Sequence, residues 1–299
     1  MRKIKTLRLD IKKCQKKVSW RGTMKIIADT PTLYSPKEGK DLGITVIPAC
    51  TIIDGTVYRD FEDISIDEFM KKIEQGAVPT TSQPAIGDIL DVFEETKDEI
   101  LFLPIGDGLS GTYQNAVGAK NSIDDNEHIH IVDTKTLAGP QRYLVQKALK
   151  LRELGLGIEK MKEELQKSIE TSVSFVIPTD FDFLKRSGRL TSVAAAIGNM
   201  IKIVPVMTQT EDMKRITLFA IKRSRRKAVD AIMEHLKKIG VNKDYIISIS
   251  HAGVQEHAKA VLEQMRTQFV DVTMELFHLA PALITHGGPG CIVIQAIKK

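Results

Sequence analysis

Four stretches hold residue types and spacings that could do chemistry. Gly106-Asp107-Gly108-Leu109-Ser110-Gly111 is a glycine turn with a hydroxyl inside it. His286-Gly287-Gly288-Pro289-Gly290 sets an imidazole before a backbone-permissive loop. Pro79-Thr80-Thr81-Ser82-Gln83-Pro84 offers three hydroxyls between two prolines, and Leu184-Lys185-Arg186-Ser187-Gly188-Arg189-Leu190 is a basic turn. Hydroxyls, an imidazole and guanidinium groups suit an anion, because each can donate a hydrogen bond to it.

The glycine turn is the best placed of the four. The apolar run Ile100–Ile105 before it is predicted to be a buried strand, and Thr112 to about Ile123 a helix. Open α/β sheets bind ligands where a strand's carboxyl end turns into a helix. The helix N-terminus there presents unpaired N–H groups and partial positive charge.

Gly106-x-Gly108-x-x-Gly111 also matches the dinucleotide fingerprint, with Asp133 at a later strand end. In dinucleotide folds that motif occupies the first strand–helix turn. Here at least two predicted strands precede it, so a dinucleotide-dependent enzyme stands as the alternative reading. A serine hydrolase would pair Ser110 with His286, but Ser110 is followed by Gly111 and Thr112, which misplaces the second glycine of Gly-x-Ser-x-Gly. His128, His130, His235 and His257 have no partner pattern and read as solvated or core residues, while His251 and His278 end strands and stay ambiguous. For the basic turn, a solvated charge cluster and an anion or partner contact both remain open.

These stretches need a scaffold. Lys25–Asp29 and Ile44–Ile53 are predicted strands, with Asp54-Gly55 a hairpin turn. Ser65-Ile66-Asp67-Glu68 is a capping box opening a helix to about Gln75, ended by Gly76. Pro84 is expected in the first turn of the next helix. A strand over 128–133 and helices over 141–153 and from Ile158 to about Thr171 follow. Then strands over 174–178, 203–209, 216–223, 245–250, 272–279 and 291–297 alternate with helices over 191–201, 224–239 and 254–269. The fold class is therefore α/β with two domains. The first has a mostly parallel sheet flanked by helices, the second a mixed sheet with helices. The boundaries fall at 1–23, a basic extension, 24–157 and 158–299.

The extension distorts the charge balance. It holds nine Lys/Arg and one Asp, which leaves 34 basic against 37 acidic residues in the rest of the chain. A slightly acidic body argues against nucleic acid as a partner. Ile4, Leu7, Ile11, Cys14 and Val18 recur at helical spacing, so the segment can form a basic amphipathic helix in transient contact with an anionic membrane surface. The plainer reading is an extension to the fold, with Met24 the usual beginning. No apolar run approaches the ~20 residues that span a bilayer. Three scattered cysteines, Cys14, Cys50 and Cys291, fit a reducing cytoplasm better than a disulfide framework, and none has metal-ligand spacing.

Taken together, Ile27-Ala28-Asp29-Thr30, Pro79–Pro84, Leu109-Ser110-Gly111-Thr112-Tyr113-Gln114, Leu184–Arg189 and His286–Gly290 resemble the DegV family in order and spacing over about 24–299. The resemblance implies a two-domain α/β protein that buries one long-chain fatty acid between its domains, similar to the fatty-acid-binding subunits of bacterial fatty acid kinases. It implies that Thr81, Ser110 and His286 hold the carboxylate, with the amides of Gly111 and Thr112 as helpers and a protonated His286 adding a charge-assisted bond. It also implies that no cofactor is used and that the protein is a carrier rather than an enzyme. A separate kinase subunit phosphorylates the carboxylate, giving an acyl phosphate for phospholipid synthesis. Arg186 and Arg189 are expected to serve that partner or the incoming phosphate. The chain departs from the family pattern at Asp107, where Ser is usual, and an acidic side chain there would repel a bound carboxylate unless it points away. Ala28 before Asp29 and Ser187 in the basic turn are further departures.

Overall fold

The computed structural model describes residues 24–195 and 203–299. The expected basic helix at 1–23, and all but the start of the one expected over 191–201, lie outside them.

The first half of the chain runs β1 (Lys25–Asp29), α1 (Pro36–Leu42), β2 (Thr45–Ile47), β3 (Cys50–Ile53), β4 (Thr56–Arg59), α2 (Ile66–Glu74), β5 (Thr80–Ser82), α3 (Ile86–Glu94), β6 (Ile100–Leu103), α4 (Thr112–Asn121), β7 (Ile129–Ile131) and α5 (Ala138–Glu153). The second runs α6 (Ile158–Ile169), β8 (Val173–Ile177), α7 (Phe181–Arg186), α8 (Ser192–Ala195), β9 (Val204–Gln209), β10 (Ile216–Lys222), α9 (Arg225–Lys238), β11 (Tyr245–His251), α10 (Gln255–Arg266), β12 (Thr273–His278), α11 (Pro281–Gly287) and β13 (Ile292–Lys298). Among the described residues, no helix is long and apolar enough to cross a membrane.

β2, β1, β6 and β7 form a parallel sheet in that order. β6 is Ile-Leu-Phe-Leu, buried at every position, as a central parallel strand must be when helices cover both faces. The order reverses between β1 and β6, which makes their carboxyl ends a topological switch point. A six-stranded sheet runs β10-β9-β8-β13-β11-β12, antiparallel except for the β11–β12 pair. This α/β architecture, with one parallel and one mixed sheet, is the one expected.

One apolar cluster holds residues from both sides of the expected 157/158 boundary. Leu144, Val145 and Ala148 of α5 and Met161 and Leu165 of α6 share it with Ile26 and Leu101 of the parallel sheet and Ile246 and Ile297 of the mixed sheet. The α5–α6 pair is thus packed between the two sheets.

A third sheet, β4-β3-β5, was not foreseen. The run 44–53 reads as one strand but forms two. Pro48 has no N–H to give a ladder, and the amide of Ala49 donates instead to Thr30 Oγ1 at 2.9 Å. The chain changes sheets at that point. Asp54 and Gly55 both take positive φ, 50° and 79°, as a two-residue hairpin turn requires. The Thr80–Ser82 segment, read as loop, pairs antiparallel with β3. Pro84 lies before α3 rather than inside it, since Ala85 is the N-cap. The Ser65–Glu68 capping box forms as expected, the Ser65 hydroxyl accepting from the Glu68 amide at 3.2 Å.

Candidate functional site

Thr81 sits at the middle of β5, directly opposite Thr51 in the β3 ladder. His286 is in the last turn of α11, a helix that the Gly-Gly-Pro sequence disguised as loop. These elements meet, and Thr81 Oγ1 lies 2.9 Å from His286 Nε2. The glycine loop beyond turns tightly: Gly288 has φ 77°, and a Cβ there would approach the Phe183 ring to 2.9 Å.

Ser110 lies in the turn from β6 to α4, at the switch point. Its Oγ accepts the Thr112 amide at 3.3 Å and lies 3.0 Å from Thr112 Oγ1. Nearby, the carboxyl of Asp29 takes the Ile105 amide on both oxygens, at 3.1 and 3.2 Å. Asp29 ends β1, so one buried carboxyl fastens the start of the glycine turn to the neighbouring strand. Gln141 Nε2 donates to it at 2.6 Å. Burial, partly offset by these hydrogen bonds, raises Asp29 to about 7. No hydrogen bond joins Ser110 to Thr81 or His286. The link is through neighbours, since Gln83 of the β5 loop lies against Gly111.

Below His286 is an apolar cavity. Ile105 and Leu109 of the β6–α4 turn line it together with Leu184, Ile216, Leu283 and Val293, so both halves of the chain contribute. The cavity's volume is about 70 Å³, below the range of small-molecule pockets, so a long acyl chain enters only if its walls move apart. Its polar wall includes His286 and Arg189.

Arg189 and Arg186 part company here. Arg186 is exposed, its guanidinium 4.5 Å from the centre of the Phe183 ring. Arg189 is half-buried in the cavity wall. Its Nε donates to Leu109 O at 3.1 Å and an Nη to Ser187 O. Among the described residues it has no carboxylate partner. Burial lowers its pKa below the ordinary arginine range.

The His286 pKa lies well below the ordinary imidazole value. Loss of water around the ring, and then the Arg189 charge, bring it down from 6.5 to about 3. It therefore meets Thr81 as a neutral imidazole.

Asp107 points away from the site. Its carboxylate pairs with Lys214 Nζ at 2.8 Å, across to the β9–β10 turn, and accepts from Gln114 Nε2 at 3.1 Å. Lys214 holds it below the ordinary carboxylate range.

The dinucleotide reading finds little room. The amides that would cradle a pyrophosphate are taken: Gly106 N–H donates to Thr136 O at 2.8 Å, Asp107 N–H to Asp133 Oδ1 at 2.9 Å and Leu109 N–H to Gly106 O at 3.2 Å. Asp133, which would grip a ribose, also takes the Lys135 amide at 3.0 Å. Of the remaining histidines, His130 pairs with Glu99 at 2.6 Å, His257 with Arg225 at 2.9 Å, and His251 meets His278 edge-on with ring centres 4.7 Å apart. No group of three or more His, Cys, Asp or Glu among the described residues could hold a metal. Cys50 and Cys291 are buried and free.

Sequence reasoning passed over Asp60. It follows β4 and is fully buried, accepting from Thr51 Oγ1 at 3.0 Å and from the Ala282 amide at 3.0 Å. Burial raises it to about 7. No local signal marks it, because an Asp after a hairpin strand ordinarily faces water.

A parallel sheet with a polar glycine turn at its switch point, beside an apolar cavity walled by both halves of the chain, defines an α/β protein with a candidate ligand site. Residues 23–299 match the model of the DegV family of uncharacterised proteins, and the chain belongs to that family. A DegV domain-containing protein of Listeria monocytogenes is 31% identical over 279 residues, covering 89% of this chain and 95% of its own. Among solved structures, a Thermus thermophilus DegV protein described as binding fatty acid superposes with a TM-score of 0.83 at 26% identity, over 92% of this chain and 99% of that one. A stearic-acid-binding protein of Eubacterium ventriosum superposes with a TM-score of 0.81 at 25% identity, over 93% and 99%.

Proposed function

We propose that the protein binds one long-chain fatty acid between its two halves, 24–157 and 158–299, and presents the carboxylate to a separate kinase. The observation that carries this reading is the Thr81–His286 contact, 2.9 Å, at the wall of an apolar cavity that also holds a half-buried arginine with no acidic partner among the described residues. The relatives described as fatty-acid-binding support the ligand class.

The physics is consistent. A carboxylate stripped of water is costly unless several donors replace that water. Thr81, Ser110 and His286, as the Nε2–H tautomer, supply three, the Gly111 amide and a rotated Ser110–Thr112 pair can add to them, and Arg189 supplies the charge. An acyl chain of ~15 methylenes gains on the order of 12 kcal/mol on burial, before the costs of binding. The exposed Arg186 is left for the partner or the incoming phosphate. The protein itself acts as carrier and not as catalyst.

The test is direct. Protein purified from a bacterial host is denatured, extracted with organic solvent and analysed by mass spectrometry. A stoichiometric long-chain acid is expected. Its repeated absence, together with no uptake of added oleate or palmitate, refutes the reading. A saturable NADH fluorescence response, blocked by NAD and indifferent to fatty acid, would favour the dinucleotide alternative.

A further inference from the structure

The Asp60 carboxylate joins two elements that are far apart in the chain. One oxygen takes the hydroxyl of Thr51, the residue opposite Thr81 in the β3–β5 ladder. The other takes the amide of Ala282, in the first turn of the helix whose last turn bears His286. The Asp60 amide donates to Ala49 O at 2.9 Å, just ahead of β3, so its backbone is fixed to the same sheet. Opposed residues in an antiparallel ladder share a face, so Thr51 and Thr81 are side by side. α11 is only seven residues long, so a shift at its start reaches His286 with little loss.

We propose that Asp60 is a positioning residue for the carboxylate clamp: by binding β3 and the start of α11 at once, it sets the Thr81–His286 distance. This rests on the reading of Thr81 and His286 as the residues that hold the anion.

A buried carboxyl is an expensive way to fill a core, and an apolar side chain would fit a purely structural purpose better. What a carboxyl offers is two acceptor oxygens a fixed distance apart. Asparagine keeps that geometry. Its oxygen can take the Ala282 amide while its NH₂ donates to a Thr51 hydroxyl turned to accept. Alanine leaves both partners buried and unpaired.

The experiment uses the whole chain, with Asp60→Ala, Asp60→Asn and each of these combined with Thr81→Val. Oleate binding is measured by calorimetry well below each melting temperature. In ligand-free protein, the His286 Nε2 resonance is followed by nitrogen NMR. Asp60→Ala is expected to weaken oleate about tenfold or more, the factor for one lost bond to a charged group, and to shift the His286 resonance. Asp60→Asn is expected to stay within about threefold and leave the resonance in place. In the Thr81→Val background the Asp60→Ala loss is expected to shrink below about threefold, because the two act through one contact. A lowered melting point with wild-type affinity and an unmoved resonance makes Asp60 structural and overturns the proposal. So does an equal loss in both backgrounds. If Asp60→Ala does not fold, Thr51→Val cuts one arm alone, and an unmoved resonance and affinity there overturn it equally. Wild-type protein that takes up no oleate refutes the underlying reading instead, an outcome told apart from the others by the NMR arm, which needs no ligand.

Discussion

Thr81 and His286 are 205 residues apart in the chain and 2.9 Å apart in the fold. One comes from an edge strand of the small third sheet, the other from the end of a short helix ahead of the last strand. Nothing local makes them neighbours, so their contact is a property of the assembled protein. Thr81→Val keeps the shape and removes the hydroxyl. It is expected to cost one bond to the bound carboxylate, about 1.5–3 kcal/mol, or a ten- to hundredfold loss of oleate affinity. His286→Ala should cost a similar factor, and the double variant less than the product of the two. Calorimetry on the four proteins checks this, and strict multiplicativity would separate the two residues functionally.

Ser110 presents a sharper choice. Its Oγ already accepts the amide of Thr112, the first residue of α4, in a cap-like bond from one position before the N-cap, Gly111. Capping alone predicts that Ser110→Ala loses about 1 kcal/mol of stability and no affinity. A carboxylate donor predicts a tenfold or greater loss of affinity, by the same estimate as for Thr81. Melting temperature without ligand and oleate affinity, measured on the same variant, decide between them. A lowered melting point with normal affinity would leave Ser110 as a cap.

The parts of the fold that were legible in the sequence are those governed by local rules. The Ser65 capping box, the Asp54-Gly55 turn and the apolar run of β6 each follow from a few adjacent residues. The parts that were not legible depend on distant partners. The β5 strand has three polar residues and exists because β3 lies beside it. α11 hides its last turn in a glycine sequence that reads as loop. At the site, residue type and spacing marked the Ser110 turn, the Pro79–Pro84 stretch and the His286 loop, but Thr81 was singled out, and joined with His286 and Ser110, only by the resemblance. Arg189 was named for the partner or the phosphate and not for the cavity wall, and Asp60 beneath the clamp was missed, because each looks like an ordinary surface charge in the sequence.

Buried titratable groups make stability depend on pH in opposing ways. Asp29 and Asp60, raised from 3.8 to about 7, keep protons that the unfolded chain releases, so their contribution falls as pH rises between those values. His286 and His251, lowered from 6.5 to about 3 and about 4, refuse protons that the unfolded chain takes up, so theirs falls as pH drops below 6.5. Each group contributes a slope of about 1.4 kcal/mol per pH unit. Between about pH 5 and 6 the two pairs largely cancel in the wild type. His286→Asn removes one of the opposing pair. Its stability, relative to wild type, is expected to decline with rising pH across that interval by up to about 1.4 kcal/mol per unit. Urea unfolding at pH 5 and 6 measures it. Parallel slopes in the two proteins would mean that His286 is protonated normally.

The two arginines of the basic turn are predicted to fail differently. Arg189 faces the cavity beside His286 and is held there by Leu109 O and Ser187 O, so its position is fixed before any ligand arrives. A cation placed in advance, in a site poor in water, favours a carboxylate over a neutral head group. Arg189→Met should therefore weaken oleate at least about tenfold while changing oleyl alcohol, which has the same chain and no charge, by less than about threefold. Equal losses for both would mean that Arg189 shapes the cavity through its bond to Leu109 and does not read the charge. Arg186 is exposed and rests on the Phe183 ring at the other side of the same turn. Arg186→Glu should leave oleate affinity within about twofold, since a solvated charge outside the cavity is screened over roughly 8–10 Å at ordinary salt. It should lower acyl phosphate formation when a fatty acid kinase and ATP are supplied, and the deficit should shrink as ionic strength rises, because repulsion between exposed surfaces is screened. If Arg186→Glu binds oleate normally and is phosphorylated at the wild-type rate, the partner docks elsewhere, and Arg186 is one more charge facing water.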